Sequence, residues 1–280
     1  MGRDENVRIF EDTRRQYETH PVLVKSIRKS KAGQKMYGDQ PVEEFRNRHV
    51  FDTAAEIVVS RKRSFEAARA YLGQPTCVLN FASASNPGGG VVRGASAQEE
   101  CLCRCSTLYA NLNTRAMWDS FYTPHRQTGD PLHNDDCIYT PGVTVFKSDT
   151  AMPELLSEED WYSVNIITCA APNLRRKPSN AMNPGDGRRN VVVSDQRLRE
   201  MHERRLRKVA DLAAAHGDEV LILGAFGCGA FENPPQVVAM AMKTIVNEYR
   251  YCFKTIEFAV YCPPGRDENY RMFANVLCGR

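Results

Sequence analysis

From residue 54 onward, short apolar runs alternate with amphipathic stretches, and this alternation restricts the fold more than any other feature of the chain. EIVVS (Glu56 to Ser60), TCVLNFAS (Thr76 to Ser83), YSVNIITCAA (Tyr162 to Ala171), EVLILGAF (Glu219 to Phe226) and TIEFAVYC (Thr255 to Cys262) read as buried strands. VTVFKS (Val143 to Ser148) reads as a more exposed one. Between them, RSFEAARAYL (Arg63 to Leu72), QEECLCRCSTLYANL (Gln98 to Leu112), Ser194 to Gly217 and Pro234 to Tyr251 read as helices. Ser194 supplies an N-cap and Gly217 a stop, and the prolines at 234 and 235 suit a first helical turn. Strands alternating with helices predict an α/β fold with helices on both faces of the sheet. The first 50 residues are polar and charged, with weak helical periodicity in Val42 to Phe51. Residues 1–50 are therefore read as a helical N-terminal extension packed on the core, and residues 51–280 as the catalytic domain.

Composition narrows the function classes. The net charge is +3, from 37 basic and 34 acidic residues, a balance that does not announce a nucleic-acid binder. Ten cysteines are present, but no CxxC pair occurs, so zinc-ribbon spacing is missing. No segment approaches the roughly 20 apolar residues of a membrane span, and MGRDENVRIFEDTRR has no apolar run of signal-peptide length. These features predict a soluble protein of a reducing compartment, cytoplasmic or, in a eukaryote, nuclear, with free thiols.

Two segments carry chemistry. In VLNFASASNPGGGVVRGASAQEE (Val78 to Glu100), a buried strand runs into Asn86, Pro87 and the glycines Gly88, Gly89 and Gly90. Consecutive glycines cost backbone entropy and suit a place where the backbone passes close to something. Gln98, Glu99 and Glu100 then open a helix. An acidic first turn is also what a helix dipole favours without any function. In LILGAFGCGAFENPP (Leu221 to Pro235), a second strand ends in Gly224, Gly227 and Gly229 before a helix. Such a turn offers N–H groups to phosphate, or is simply tight. It is neither a Walker A loop nor a clean GxGxxG. Paired carboxylates beside a phosphate loop suit a phosphorylated sugar with a scissile glycosidic bond.

NPGGGVVRGASAQEE resembles the signature of poly(ADP-ribose) glycohydrolases, and GAFGCGAFENPP resembles that family's diphosphate loop. VLNFAS and CAAPN (Cys169 to Asn173) fit as well, and the resemblance, closest to the bacterial-type branch, covers about residues 50 to 262. It implies a macrodomain-like three-layer α/β/α fold with a mixed central sheet. It implies Glu100 as the catalytic glutamate and Glu99 as its partner, with Gln98 among the ligand-binding residues. It places Gly88, Gly89 and Gly90 along the distal ribose and phosphates, and Asn86 near the same ribose. Gly227, Cys228, Gly229 and Ala230 would wrap the diphosphate, and Phe231 would pack near the ribose being cleaved. The implied substrate is poly(ADP-ribose) or an ADP-ribosylated protein, the product ADP-ribose, and no metal or cofactor is used. A hydrolase of single ADP-ribose groups and a non-catalytic ADP-ribose-binding macrodomain are the rival readings; the intact Glu99 and Glu100 argue against the second.

Adjacent helical residues point about 100° apart, so the two glutamates divide the labour: Glu100 serves as acid and Glu99 binds sugar hydroxyls. A neutral-pH acid must hold its proton. The helix start opposes this, whereas the charge of Glu99, the substrate diphosphate and burial favour it. Pro124 to Asp136, which lacks periodicity, and Pro172 to Asn190, which follows a strand's C-terminal end, read as loops that border the site, where ligands of open α/β sheets bind, or as plain solvated loops. His125 and His133 are read as surface histidines, Cys228 as a small residue in a tight turn, and CLCRC, Trp118 and Trp161 as packing.

Overall fold

The computed structural model describes residues 2–40 and 49–279. Seven strands form one mixed sheet: β1 (Lys35–Tyr37), β2 (Glu56–Ser60), β3 (Thr76–Phe81), β4 (Cys137–Val145), β5 (Tyr162–Cys169), β6 (Val220–Leu223) and β7 (Thr255–Ala259), in spatial order β1-β4-β5-β3-β6-β7-β2. β5, β3, β6, β7 and β2 run parallel, and β4 and β1 are antiparallel additions at one edge. The helices are α1 (Arg3–Thr19), α2 (Pro21–Gly33), α3 (Ser64–Ala68), α4 (Gln98–Cys105), α5 (Leu108–Leu112), α6 (Arg115–Met117), α7 (Thr123–Thr128), α8 (Asp195–Ala215), α9 (Pro235–Glu248) and α10 (Glu268–Cys278). A single wide π turn, Trp118–Tyr122, joins α6 to α7.

Period-2 alternation along the central strands builds the three layers. Leu79, Ile167, Leu221 and Leu223 point to one face and pack with Val209, Met242 and Phe273 from α8, α9 and α10. Val78, Ile166, Val220 and Ile222 point to the other and pack with Phe65, Leu102 and Leu108 from α3, α4 and α5. Both faces are covered, as the near-continuous apolar strands require.

The structure revises several local expectations. β4 is nine residues long and begins at Cys137. Val143, Val145 and Phe146 are fully buried, not exposed, because α2 and α5 cover this edge. A register shift between Thr140 and Val143, at Pro141-Gly142, splits the strand's apolar pattern. The helix read across Gln98 to Leu112 breaks at Ser106, whose backbone is extended and bridges Val145. The stretch read as a loop from Pro124 begins inside α7. Ser194 does cap α8, its hydroxyl accepting from the Arg197 N–H. The periodic stretch Val42 to Phe51 lies, apart from its end, outside the described residues.

Residues 3–37 form two helices and the edge strand β1. α1 lies directly behind the first glycine loop: Asn6 Nδ2 donates to the Gly94 carbonyl (2.9 Å) and Thr13 Oγ1 to the Arg104 carbonyl (2.6 Å). Among the described residues, no helix is long and apolar enough to cross a membrane. None of the ten thiols forms a disulfide.

Candidate active site

Both glycine-rich segments leave the C-terminal ends of adjacent parallel strands, β3 and β6, where open α/β sheets bind ligands. Between them lies a cavity of about 500 Å³. Glu99, Glu100, Gln98, Gly89, Gly227, Gly229, Ala230 and Phe231 line it; Asn86, Gly88, Gly90 and Cys228 do not.

α4 is fixed to β3 through main-chain groups. The Gln98 amide oxygen accepts from the Phe81 N–H (2.9 Å), and its amide nitrogen donates to the Leu79 carbonyl (2.8 Å) and Ser64 Oγ (3.0 Å). Gln98 thus works as a clamp between helix and strand. Glu99 is 2% exposed and accepts from the Ser83 N–H (2.7 Å) and Asn80 Nδ2 (3.2 Å). Glu100 Oε1 accepts from the Gly90 N–H (2.8 Å), while Oε2 is buried with no partner. Although the two residues leave the helix in different directions, both carboxyls converge on Gly89. A Cβ there would stand 2.5 Å from Glu100 Oε1 and 3.1 Å from Glu99 Oε2.

Burial raises the proton affinity of both carboxyls. For Glu99 the charge of Glu100 adds to it; for Glu100 the Gly90 N–H and the Arg104 guanidinium oppose it. Burial in the fold thus works in the direction that an acid requires, against the pull of the Gly90 N–H.

The glycines divide into two kinds. Gly89 has φ +58 and faces the carboxyls, whereas a Cβ at Gly88 (φ +65) would strike Tyr109 at 2.8 Å on the packed side. Gly90 is pressed between Ala95 and the Met182 carbonyl. Asn86 donates to Asn183 Oδ1 (2.7 Å) and the Pro184 carbonyl (2.6 Å) and accepts from Arg126, so it holds the loop Pro172 to Asn190 down.

In the second loop Gly229 has open space around it, while Gly227 (φ +80) is enclosed by Ala171 and Asn233. Asn233 organises this turn by donating to the carbonyls of Pro172, Gly227 and Phe231. Its Oδ1 meets His202 Nε2 at 2.8 Å. Burial pushes the Cys228 thiol up, away from a thiolate nucleophile.

His125 and His133 are buried rather than superficial: His125 is held between the Phe121 carbonyl and Asn134 Oδ1, and His133 lies 4.0 Å from the loop's Asp186. His133 Nδ1 meets the Ala171 carbonyl at 2.9 Å, and burial beside Arg205 lowers its pKa to about 3. Trp118 and Trp161 pack as expected, Trp161 against Phe146. Sequence reasoning missed Asn80, Ser83, Asn233 and Arg175. The one available signal was a polar Asn80 inside an apolar strand. Among the described residues, no group of three or more His, Cys, Asp or Glu is placed to hold a metal ion.

A mixed sheet between helix layers, with a buried acid facing a glycine-lined cavity, defines a macrodomain-like glycoside hydrolase. The chain belongs to the microbial-type poly(ADP-ribose) glycohydrolase (PARG) family: the model "Microbial-type PARG, catalytic domain" matches residues 5–148. A poly(ADP-ribose) glycohydrolase from Thermomonospora curvata bound to the inhibitor ADP-HPD is 31% identical, with TM-score 0.79, over 96% of this chain and 98% of that one. One from Deinococcus radiodurans in complex with ADP-ribose is 29% identical, with TM-score 0.76, over 90% and 97%. No match was found among curated proteins.

Proposed function

We propose that this chain releases ADP-ribose from poly(ADP-ribose) by cutting ribose–ribose O-glycosidic bonds, with Glu100 as general acid and then base. The observation that carries this reading is the unequal treatment of its two carboxyl oxygens. Oε1 is held by the Gly90 N–H, and Oε2 is buried without a partner, beside a glycine that leaves room for a sugar. A carboxyl anchored at one oxygen presents the other in a fixed direction.

In this reading the diphosphate lies between Gly89 and the turn Gly227 to Ala230, and Phe231 flanks the ribose being cleaved. The adenosine half extends toward Ala259, Val260 and Tyr261, which close the cavity at the β7 end. Glu100 Oε2 passes its proton to the departing ribose oxygen as the C1–O bond breaks. The positive charge developing at C1 is stabilised by the nearby diphosphate and the Glu100 carboxylate. That carboxylate then takes a proton from the water that attacks C1. Glu99, fixed by Ser83 and Asn80, holds the ribose hydroxyls. Gln98 positions the helix, and Asn86, Gly88 and Gly90 shape the loop from behind.

The decisive experiment is Glu100→Gln assayed for ADP-ribose release from poly(ADP-ribose). Loss of about 10²–10⁴-fold in kcat is expected, with ADP-ribose binding retained. Turnover near that of the unmodified chain would remove Glu100 from the acid role.

A further inference from the structure

The loop Pro172 to Asn190 carries four cations that the site does not use. Arg176, Lys177, Arg188 and Arg189 are exposed. Among the described residues, no carboxylate pairs with them. The loop that carries them is drawn shut at its base. Asn173 Nδ2 donates to Asp186 Oδ2 (3.0 Å), Asn183 Nδ2 donates to the same oxygen (2.8 Å), and Arg175 lies 3.9 Å from it. Arg176 and Lys177 leave one side of this neck, and Arg188 and Arg189 leave the other. At no more than about 3.6 Å per residue, all four Cα atoms lie within roughly 15 Å of it. Asp186, the one carboxylate in the loop, is 2% exposed and committed to the neck, so the four charges face solvent unneutralised.

The same loop walls the catalytic cavity. Arg175, Met182 and Asn183 line it, and the Arg175 guanidinium stands 5.3 Å from the centre of the Phe231 ring. The loop follows β5, whereas Tyr261 follows β7, and these strands flank β3 and β6 on opposite sides. The cavity therefore runs from the Tyr261 ring, which carries the Arg63 guanidinium 4.0 Å above it, to the wall formed by this loop and its Arg175, with the glutamates between. If the adenosine of the released unit fills the first end, the rest of the polymer leaves by the second.

We propose that Arg176, Lys177, Arg188 and Arg189 form a subsite for the diphosphate of the polymer unit that follows the one being released. This rests on the reading of Glu100 and of the adenosine end given above. Each polymer unit brings two phosphates to a cluster of four exposed basic side chains, so the contact is electrostatic and sequence-independent. It favours polymer over single ADP-ribose groups without touching the reacting atoms.

The test compares the full chain with its Arg176→Gln, Lys177→Gln, Arg188→Gln, Arg189→Gln variant. KM and kcat are measured on poly(ADP-ribose) at low and high salt, and the Kd for free ADP-ribose by calorimetry. At low salt the variant's KM rises about tenfold, and the difference shrinks as salt screens the charges. Its kcat and its ADP-ribose Kd stay unchanged, which also shows that it is folded. An unchanged KM at low salt overturns the subsite, as does an ADP-ribose Kd that weakens in step with KM. Filter binding of the polymer to both chains separates this from failure of the catalytic reading. A chain that cuts no polymer, yet binds it more tightly than the variant does, keeps the subsite and loses the proposed cleavage.

Discussion

Gly89 and Glu100 are matched to each other: the glycine, at φ +58, would place a Cβ 2.5 Å from the carboxyl oxygen that the next residue's N–H holds. Gly89→Ala therefore meets both a disfavoured backbone conformation and a clash. It is expected to cost about 1–3 kcal/mol of stability and to lower kcat by at least about 100-fold, since displacing the acid by an ångström is that costly. Thermal denaturation and ADP-ribose release measure the two effects. Full activity in this variant would show that the acid does not depend on the glycine.

Glu99→Gln separates sugar binding from acid chemistry. Gln keeps an acceptor for the Ser83 N–H, and its new amide hydrogens can meet the buried, unpartnered Asn80 Oδ1 if the Asn80 amide turns over. The variant is expected to fold with little change in Tm, yet to lose about 100-fold in kcat because its amide nitrogen cannot accept from a sugar hydroxyl as the oxygen it replaces can. Activity on poly(ADP-ribose) and a melting curve check this pair of outcomes.

Asn6→Ala tests whether α1 supports the catalytic loop. The change removes the bond to the Gly94 carbonyl and costs about 1 kcal/mol. Because Gly94 closes the turn between Gly90 and α4, kcat is expected to drop severalfold together with Tm. A fall in Tm with no change in kcat would confine the helix to a structural role.

Asp218 sits at the far end of the sheet, 2% exposed, accepting from Asn165 Nδ2 at 2.7 Å. Burial pushes its carboxyl up to about 7. A buried acid of this kind favours the folded chain fully below its ordinary value of 3.8 and loses that advantage as pH rises toward 7. Relative to Asp218→Asn, which stays neutral, the parent chain should lose stability between pH 4 and 7, by about 4 kcal/mol in all. Above that range the difference should be flat. Melting temperatures of both chains across pH give the answer, and a constant difference would refute the assignment.

The parts of the site legible in the sequence are those whose partners lie nearby along the chain. Gly89 and Glu100 are eleven residues apart, so strand, glycines and acid appear as one phrase. The same holds for the turn after β6. The buried His133 is opaque because its partners, Ala171 and Asp186, come from another segment; Asn80 and Asn233 are opaque although Glu99, Gly227 and Phe231 lie in their own segments, because a lone amide does not announce whom it meets. β4 was cut short in the reading because Pro141 and Gly142 interrupt it, and only the sheet shows that the strand continues across a bulge. β1 escaped for a related reason: three residues carry too little pattern to be read, and pairing with β4 alone makes them a strand.

Two of the three bonds of Gln98 run to the Phe81 N–H and the Leu79 carbonyl, main-chain groups that any residue but a proline at 81 would present, and the third runs to Ser64 Oγ. The register of α4 on β3, and with it the aim of the acid, thereby depends on the course of the strand's main chain more than on the strand's side chains. Core substitutions at Leu79 or Phe81 are free to drift in evolution so long as the strand keeps its course, whereas position 98 must keep an amide of the right length.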